Sequence, residues 1–332
     1  MSLATHYLGL SLKNPLIASA APANAQLDHL RRLEDAGAAA VVLPSLFQEQ
    51  IEADTELEEL ILGRMAHNSP EASSYLPVAI GPYGVGSEAY LDLIRRAHQA
   101  LSIPVIASLN GATEAGWTEY ARLMEQAGAD AIELNIYFVP TDLALTGQQV
   151  EDRYAGIVAS ARRGVAVPLS VKLSPFVSAL GNLAQRLHDN GANGLVLFNR
   201  LIQPDYDLAS MRLTQGVHLS TPAEMPLPLL WTSLLAGRTK LSLAGSTGVH
   251  SGDDIVKYLL AGADAVMTAS AILRYGPSYM TRMLDELRIW LEVRAFHSVA
   301  DMRGLLSWAR SRHRERYGRP SYIKMLETGP VA

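Results

Sequence analysis

The chain has 332 residues, enough for one large α/β barrel with insertions or for two ordinary domains. It is 48% hydrophobic and 18% charged, which excludes a disordered chain, and its net charge of −5 gives no sign of nucleic acid or an anionic membrane as main partner. The absence of cysteine excludes disulfides, thiolate catalysis and an iron–sulfur cluster held by this chain alone.

The N-terminal residues lack a basic segment followed by an apolar one, and no apolar run reaches the roughly 18 residues of a membrane span. A cytoplasmic protein is expected. Residues 5–13 alternate in polarity and predict a small hairpin closing the bottom of a barrel.

From there a short motif recurs four times. It reads Ala36-Gly37-Ala38-Ala39-Ala40, Ala127-Gly128-Ala129-Asp130-Ala131, Asn190-Gly191-Ala192-Asn193-Gly194 and Ala261-Gly262-Ala263-Asp264-Ala265. Each copy follows a helical pattern and precedes an apolar run. The glycine supplies a positive-φ helix stop, and the small residues let the chain turn into a buried strand. A second kind of strand entry places Pro104 and Pro168 at the strand start, where a missing N–H is tolerated.

In chain order the predicted strands lie near 15–20, 38–45, 104–109, 131–137, 168–174, 194–199, 240–245 and 265–270. Helices are predicted near 25–36, 87–100, 114–127, 146–162, 177–190, 225–236, 251–261 and 275–294. Eight β/α units in order predict a closed (β/α)8 TIM barrel rather than an open sheet, and no Gly-x-Gly-x-x-Gly follows the first strand. The extra length falls in insertions after strand two (46–82, with a strand-like piece at 77–82) and strand six (200–224, a hairpin or lid), and in a basic helical tail. The domain reading is one barrel over 1–294 and a helical extension over 295–332 packed on it. The arginines of that extension, Arg303, Arg310, Arg312, Arg314, Arg316 and Arg319, are read as a solvated face or subunit contact.

Active sites of such barrels lie at the C-terminal ends of the strands. All eight predicted strands end in small or polar residues: Ser19-Ala20, Pro44-Ser45, Asn110-Gly111, Asn135-Ile136-Tyr137, Lys172-Leu173-Ser174, Asn199, Gly245-Ser246-Thr247-Gly248 and Ala269-Ser270. The loops after strands seven and eight are where such barrels cradle phosphate, and Gly245, Ser246, Thr247, Gly248, Ala269 and Ser270 supply small residues, backbone N–H groups and hydroxyls there. Lys172 stands alone in an apolar strand, which is costly unless its charge is used. Two uses are open: stabilising negative charge on a reduced flavin, or forming a Schiff base with a carbonyl substrate.

With these residues the chain resembles the dihydroorotate dehydrogenase family of FMN enzymes over about residues 5–290. The markers are Asn14-Pro15 leading to Ala18-Ser19-Ala20, Glu133-Leu134-Asn135, Val171-Lys172-Leu173-Ser174-Pro175, Asn199, Gly245-Ser246-Thr247-Gly248 and Ala269-Ser270. The resemblance implies FMN as cofactor and a CH–CH or C=C group of dihydroorotate or an analogue as the reacting group. It implies that the backbone at Ala18, Ser19 and Ala20 lies against the flavin, with Lys172 at its pyrimidine end and Asn110 and Ser45 nearby. Asn135 would lie between flavin and substrate, Asn199 would bind substrate, and Thr247, Gly248, Ala269 and Ser270 would hold the phosphate.

Two departures stand against that pattern. Phe138 occupies the place of the family's cysteine or serine base, and Pro44, followed by Ser45, the place of its strand-two lysine. Tyr137 is the candidate replacement, as general acid rather than base, since an unperturbed phenol has a pKa near 10. The catalytic candidates are therefore Lys172, Tyr137 and Asn135. Besides the flavin oxidoreductase, two readings stay open: a lyase or aldolase using Lys172, and a non-catalytic flavin-binding subunit of a redox assembly. The expected partners are a small-molecule substrate and either a second copy or a redox protein, with no metal.

Overall fold

The structure, a computed structural model, describes residues 1–47, 87–111, 117–136, 138–200, 204–214, 216, 218–314 and 317. Eight parallel strands close into a barrel: β3 (Leu16–Ala18), β4 (Val41–Phe47), β5 (Val105–Gly111), β6 (Ala131–Ile136), β7 (Leu169–Leu173), β8 (Gly194–Leu197), β11 (Ser242–Gly245) and β12 (Ala265–Thr268), with β12 pairing back onto β3. The predicted (β/α)8 class is therefore the observed one.

The helices alternate with the strands. They are α1 (Leu27–Asp35), α2 (Ser87–Ala100), α3 (Trp117–Gln126), α4 (Gly147–Gly164), α5 (Leu180–Asp189), α6 (Pro226–Leu235), α7 (Gly252–Ala261), α8 (Ser270–Tyr275), α9 (Tyr279–Val293) and α10 (Val299–Met302). The predicted helix near 275–294 is α9, and a short additional helix, α8, precedes it and is ended by Gly276 at φ +84° and Pro277. The insertion after strand six contains the antiparallel ribbon β9 (Asp205–Asp207) and β10 (Arg212–Thr214). The strand-like piece at 77–82 lies outside the described residues.

The recurring Ala-Gly-Ala motif is a helix stop in all four copies. Gly37, Gly128, Gly191 and Gly262 have φ between +101° and +115°. The following N–H groups of Ala38, Ala129, Ala192 and Ala263 reach back to the carbonyls of Leu33, Met124, Leu187 and Tyr258, which satisfies the helix end. The next residue acts across the sheet. Asp130, Asn193 and Asp264 each accept the N–H of a residue at the start of the preceding strand: Val105, Leu169 and Leu243. Pro15, Pro104 and Pro168 still offer carbonyls, which accept from Val266, Val41 and Ile132.

Strand parity sorts the side chains. Leu16, Val41, Val105, Ile132, Leu169 and Leu195 face outward into the helix-covered core. Ile17, Val42, Ile106, Ala131, Val196 and Met267 face inward. The N-terminal ribbon of β1 (Thr5–Tyr7) and β2 (Leu10–Leu12) plugs the lower end, with Tyr7, Leu8 and Leu12 packed into that inner cluster. The plug is pinned by Thr5 Oγ1 donating to Asp264 O at 2.9 Å and Leu8 N donating to Ser242 Oγ at 3.1 Å. With the barrel interior sealed at its floor, it opens at the C-terminal ends of the strands.

The plug should therefore be integral to stability. Leu12→Ala is expected to lower the unfolding free energy by about 2–5 kcal/mol, the cost of a buried leucine cavity. Urea denaturation measures it, and a loss below about 1 kcal/mol would show that the ribbon is a loose appendage.

Candidate active site

At the mouth the inward positions become polar. On β6 and β7 the inward side chains are Glu133 then Asn135, and Ser170 then Lys172, with Asn135 beside Lys172 and Glu133 beside Ser170 in register. On β5 they are Ser108 and Asn110, and Asn110 pairs with Asn135. β4 carries a register irregularity between Val42 and Ser45, which puts Ser45 beside Ser108. Ser45 Oγ lies 2.8 Å from Ser108 Oγ, so Ser45 rather than Pro44 offers its side chain to the mouth.

These side chains form one hydrogen-bonded chain. Asn199 Nδ2 donates to Asn135 Oδ1 at 2.7 Å, and Asn135 Nδ2 donates to Ser45 Oγ at 3.4 Å. Tyr90 on α2 supports it from outside: its hydroxyl donates to Ser108 O at 3.1 Å and accepts from Ser108 N at 2.9 Å. Burial, reinforced by the charge on Glu133, pushes the Tyr90 phenol well above its ordinary range, so it stays a neutral donor.

Lys172 is buried, and its ammonium lies 3.4 Å from Glu133 Oε1 and 3.4 Å from Ser19 Oγ. Ser19 and Ala20 follow β3, and Asn24 fixes this segment by donating from Nδ2 to Ser19 O at 3.0 Å and Val42 O at 2.7 Å. Ala18 itself turns its methyl outward into the core, so only its backbone reaches the mouth.

The loops after β11 and β12 meet on the other side. Thr247 and Gly248 both have positive φ, +80° and +76°. That geometry makes a tight left-handed turn after β11. A Cβ on Gly248 would lie 2.7 Å from Thr221 O, and one on Gly245 would lie 2.2 Å from the Tyr258 ring. Tyr258 in turn donates to Ser246 O at 2.6 Å and Thr247 O at 2.8 Å, holding the turn from below. Ser220 bridges the two loops: its hydroxyl lies 2.9 Å from Ser270 Oγ and accepts from Gly248 N at 3.2 Å, and its own N–H donates to Ser270 Oγ at 3.0 Å. His250 Nε2 lies 2.7 Å from Ser220 O.

A cavity of about 150 Å³ runs from Ser19, Ala20 and Lys172 to Thr247, Gly248, Ala269 and Ser270. A larger one of about 780 Å³ shares Ala20, Asn199, Thr247, Ala269 and Ser270 with it and opens outward past Phe176. Thus Ser19, Ala20, Lys172, Asn199, Ser246, Thr247, Gly248, Ala269 and Ser270 line these cavities, and the side-chain chain above joins Asn135 and Ser45 to Asn199. Asn110 enters the mouth by register alone, and Gly245 acts beneath the turn. Tyr137 lies outside the described residues. Phe138 packs on Tyr154 with ring centroids 5.7 Å apart and lies under the Arg153 guanidinium at 4.7 Å, so its ring is engaged with α4. Ser220, Asn24 and the partner role of Glu133 are not evident from the sequence, where the first two sit in unpatterned segments and Glu133 reads only as a motif letter. Among the described residues no cluster of three metal-ligating side chains occurs, and no helix is long and apolar enough to cross a membrane.

The model of the family described as dihydroorotate dehydrogenase matches residues 2–291. The chain belongs to that family. It is thereby a flavoprotein oxidoreductase of the kind that acts on CH–CH donors. Relatives named dihydroorotate dehydrogenase B (NAD(+)), catalytic subunit, include one from Thermoplasma acidophilum, 26% identical over 310 residues (91% of this chain, 98% of the relative). Another, from Listeria monocytogenes serotype 4a, is 30% identical over 271 residues (80% and 85%). A relative from Solibacter usitatus named for the fumarate-linked A enzyme is 27% identical over 320 residues (92% and 99%). Within the dihydroorotate dehydrogenase family, then, this chain carries a mouth built on Lys172, Asn135 and Asn199.

Asn24 should be structurally expensive to lose, because its removal leaves two buried carbonyls without a donor. Asn24→Ala is expected to cost about 1–3 kcal/mol of unfolding free energy. Denaturation showing less than about 0.5 kcal/mol would mean that the Ser19 segment is held by other contacts.

Proposed function

We propose that this chain binds FMN at the barrel mouth and oxidises or reduces a CH–CH/C=C group of dihydroorotate or a related small molecule. The observation that carries this reading is the two-ended cavity, lined by the small and hydroxyl residues Thr247, Gly248, Ser220 and Ser270 at one end and by the Lys172 ammonium at the far wall. The residues fit such a cofactor: the hydroxyl-lined glycine turn at the strand ends suits a phosphate, and the cation suits the electron-rich pyrimidine edge of a flavin. Bound there, the flavin would supply hydride transfer at N5.

The chain's own residues then divide the work. Thr247, Gly248, Ala269 and Ser270 anchor the phosphate. The backbone at Ala18 to Ala20 supports the ring. Asn135 and Asn199, locked together at 2.7 Å, present amide groups that orient a polar planar substrate. Ser45 and Ser108 complete that wall.

The base position is the weak point for dihydroorotate itself. With Phe138 engaged with Tyr154, no proton acceptor stands at the family's place, and losing a general base costs a factor of about 10² to 10⁴. A related substrate whose proton is supplied by Tyr137 or by solvent suits this mouth better.

The flavin-subunit reading draws on one observation, the ribbon of β9 and β10, where Tyr206, Leu208, Met211 and Leu213 are all exposed. Turnover by the isolated chain with a simple electron acceptor would remove it.

The purified protein should be yellow, and anaerobic addition of dihydroorotate should bleach the flavin at least about 10²-fold more slowly than in a family member with its base in place. A colourless protein that takes up no FMN would overturn the reading. Gly248→Ala should lower FMN occupancy at least about tenfold, since the new Cβ meets Thr221 O and forces the turn to shift. Unchanged flavin content in a folded variant would place the phosphate elsewhere.

A further inference from the structure

Beneath Lys172 lies a buried polar group that the proposed chemistry does not use. Glu133 is fully buried, yet only Oε1 is occupied, by the lysine; Oε2 finds no partner among the described residues. Ser170 Oγ and Tyr7 OH are buried beside each other and close to this carboxylate. Among the described residues, two phenols feel the charge of this carboxylate and Lys172 is the cation paired with it. Tyr7 rises from the plug and Tyr90 flanks from α2, and burial together with the Glu133 charge pushes both phenols up, so both are neutral. Ser19 contributes a hydroxyl to Lys172 and no charge. Among the described residues, Glu133 is the carboxylate that pairs with Lys172. Burial disfavours an ammonium that has no counter-ion.

Resting on the flavin reading above, we propose that Glu133 is a positioning residue for the cofactor site. By pairing with Lys172 from below, it keeps the ammonium charged in both oxidation states of the flavin, so Lys172 supplies a fixed charge and no proton. The balance is explicit. Reduction of the ring to its reduced anion takes two electrons from an external reductant such as dithionite and one proton at N5, with Lys172 unchanged. If the lysine were neutral beside the oxidised ring, it would bind a second proton as negative charge developed at the pyrimidine edge. Two protons would then accompany two electrons.

Potentiometric titration of the FMN-loaded protein against redox dyes at several pH values between 7 and 9 separates the cases. A tenfold change in an equilibrium constant is about 30 mV for a two-electron couple, so one proton gives a slope of about 30 mV per pH unit and two protons about 60 mV. The wild type is expected to follow the one-proton slope throughout. Glu133→Gln, which keeps shape and removes charge, is expected to follow the two-proton slope, and Glu133→Asp to return towards one.

A yellow Glu133→Gln variant with the wild-type slope would overturn the proposal while leaving the flavin reading intact. A wild type that takes up no FMN would instead overturn that reading. If Glu133→Gln does not fold, the wild type decides alone: proton uptake on reduction, followed with a pH indicator in weak buffer, should be one per two electrons over this range. Uptake of two, or a break in the slope, would show that Lys172 titrates.

Discussion

A strand in a closed parallel barrel offers every second side chain to the interior, and that interior has one floor and one mouth. Everything functional here depends on that constraint. The floor is sealed by Tyr7, Leu8 and Leu12, and the lower inward positions are apolar. Above them the same parity brings Ser108 and Asn110, Glu133 and Asn135, and Ser170 and Lys172 inward on three adjacent strands. Polarity thus increases up the barrel axis without breaking the outward apolar face that packs against the helices.

A charge in such a place needs a partner, and the partner must come from the same restricted set of inward positions. Glu133 stands one layer below Lys172 on the neighbouring strand, where its carboxylate can reach the ammonium. The pair is buried, so its value lies less in net stability than in fixing where the Lys172 side chain sits. The amide and hydroxyl chain from Asn199 to Ser108 fixes the opposite wall. Across the mouth, Ser220 and Tyr258 hold the two glycine-rich loops by local hydrogen bonds.

The barrel was legible because its signals are local and repeated. The Ala-Gly-Ala stops and proline entries each encode a helix end or a strand start within a few residues, and the strand-end polar residues followed from them. What was not legible depends on contacts between distant segments. Ser220 reaches Ser270 across fifty residues, and Asn24 reaches Val42 across eighteen. The register irregularity in β4 decides that Ser45 rather than Pro44 serves the mouth, and no composition rule announces such a shift. The short α8 was not legible, because it begins two residues after the β12 strand ends, where residues 265–270 read as one strand.

The central claim is a phosphate-bearing cofactor gripped by its phosphate at the strand ends. Comparing FMN with riboflavin by calorimetry on the apoprotein isolates that grip, because the two share the ring and differ in the phosphate. Binding of FMN at least about 10²-fold tighter, a difference of about 2.7 kcal/mol, is the expected result. Equal affinities would contradict the account and leave Thr247, Gly248, Ser220 and Ser270 as an ordinary pair of turns.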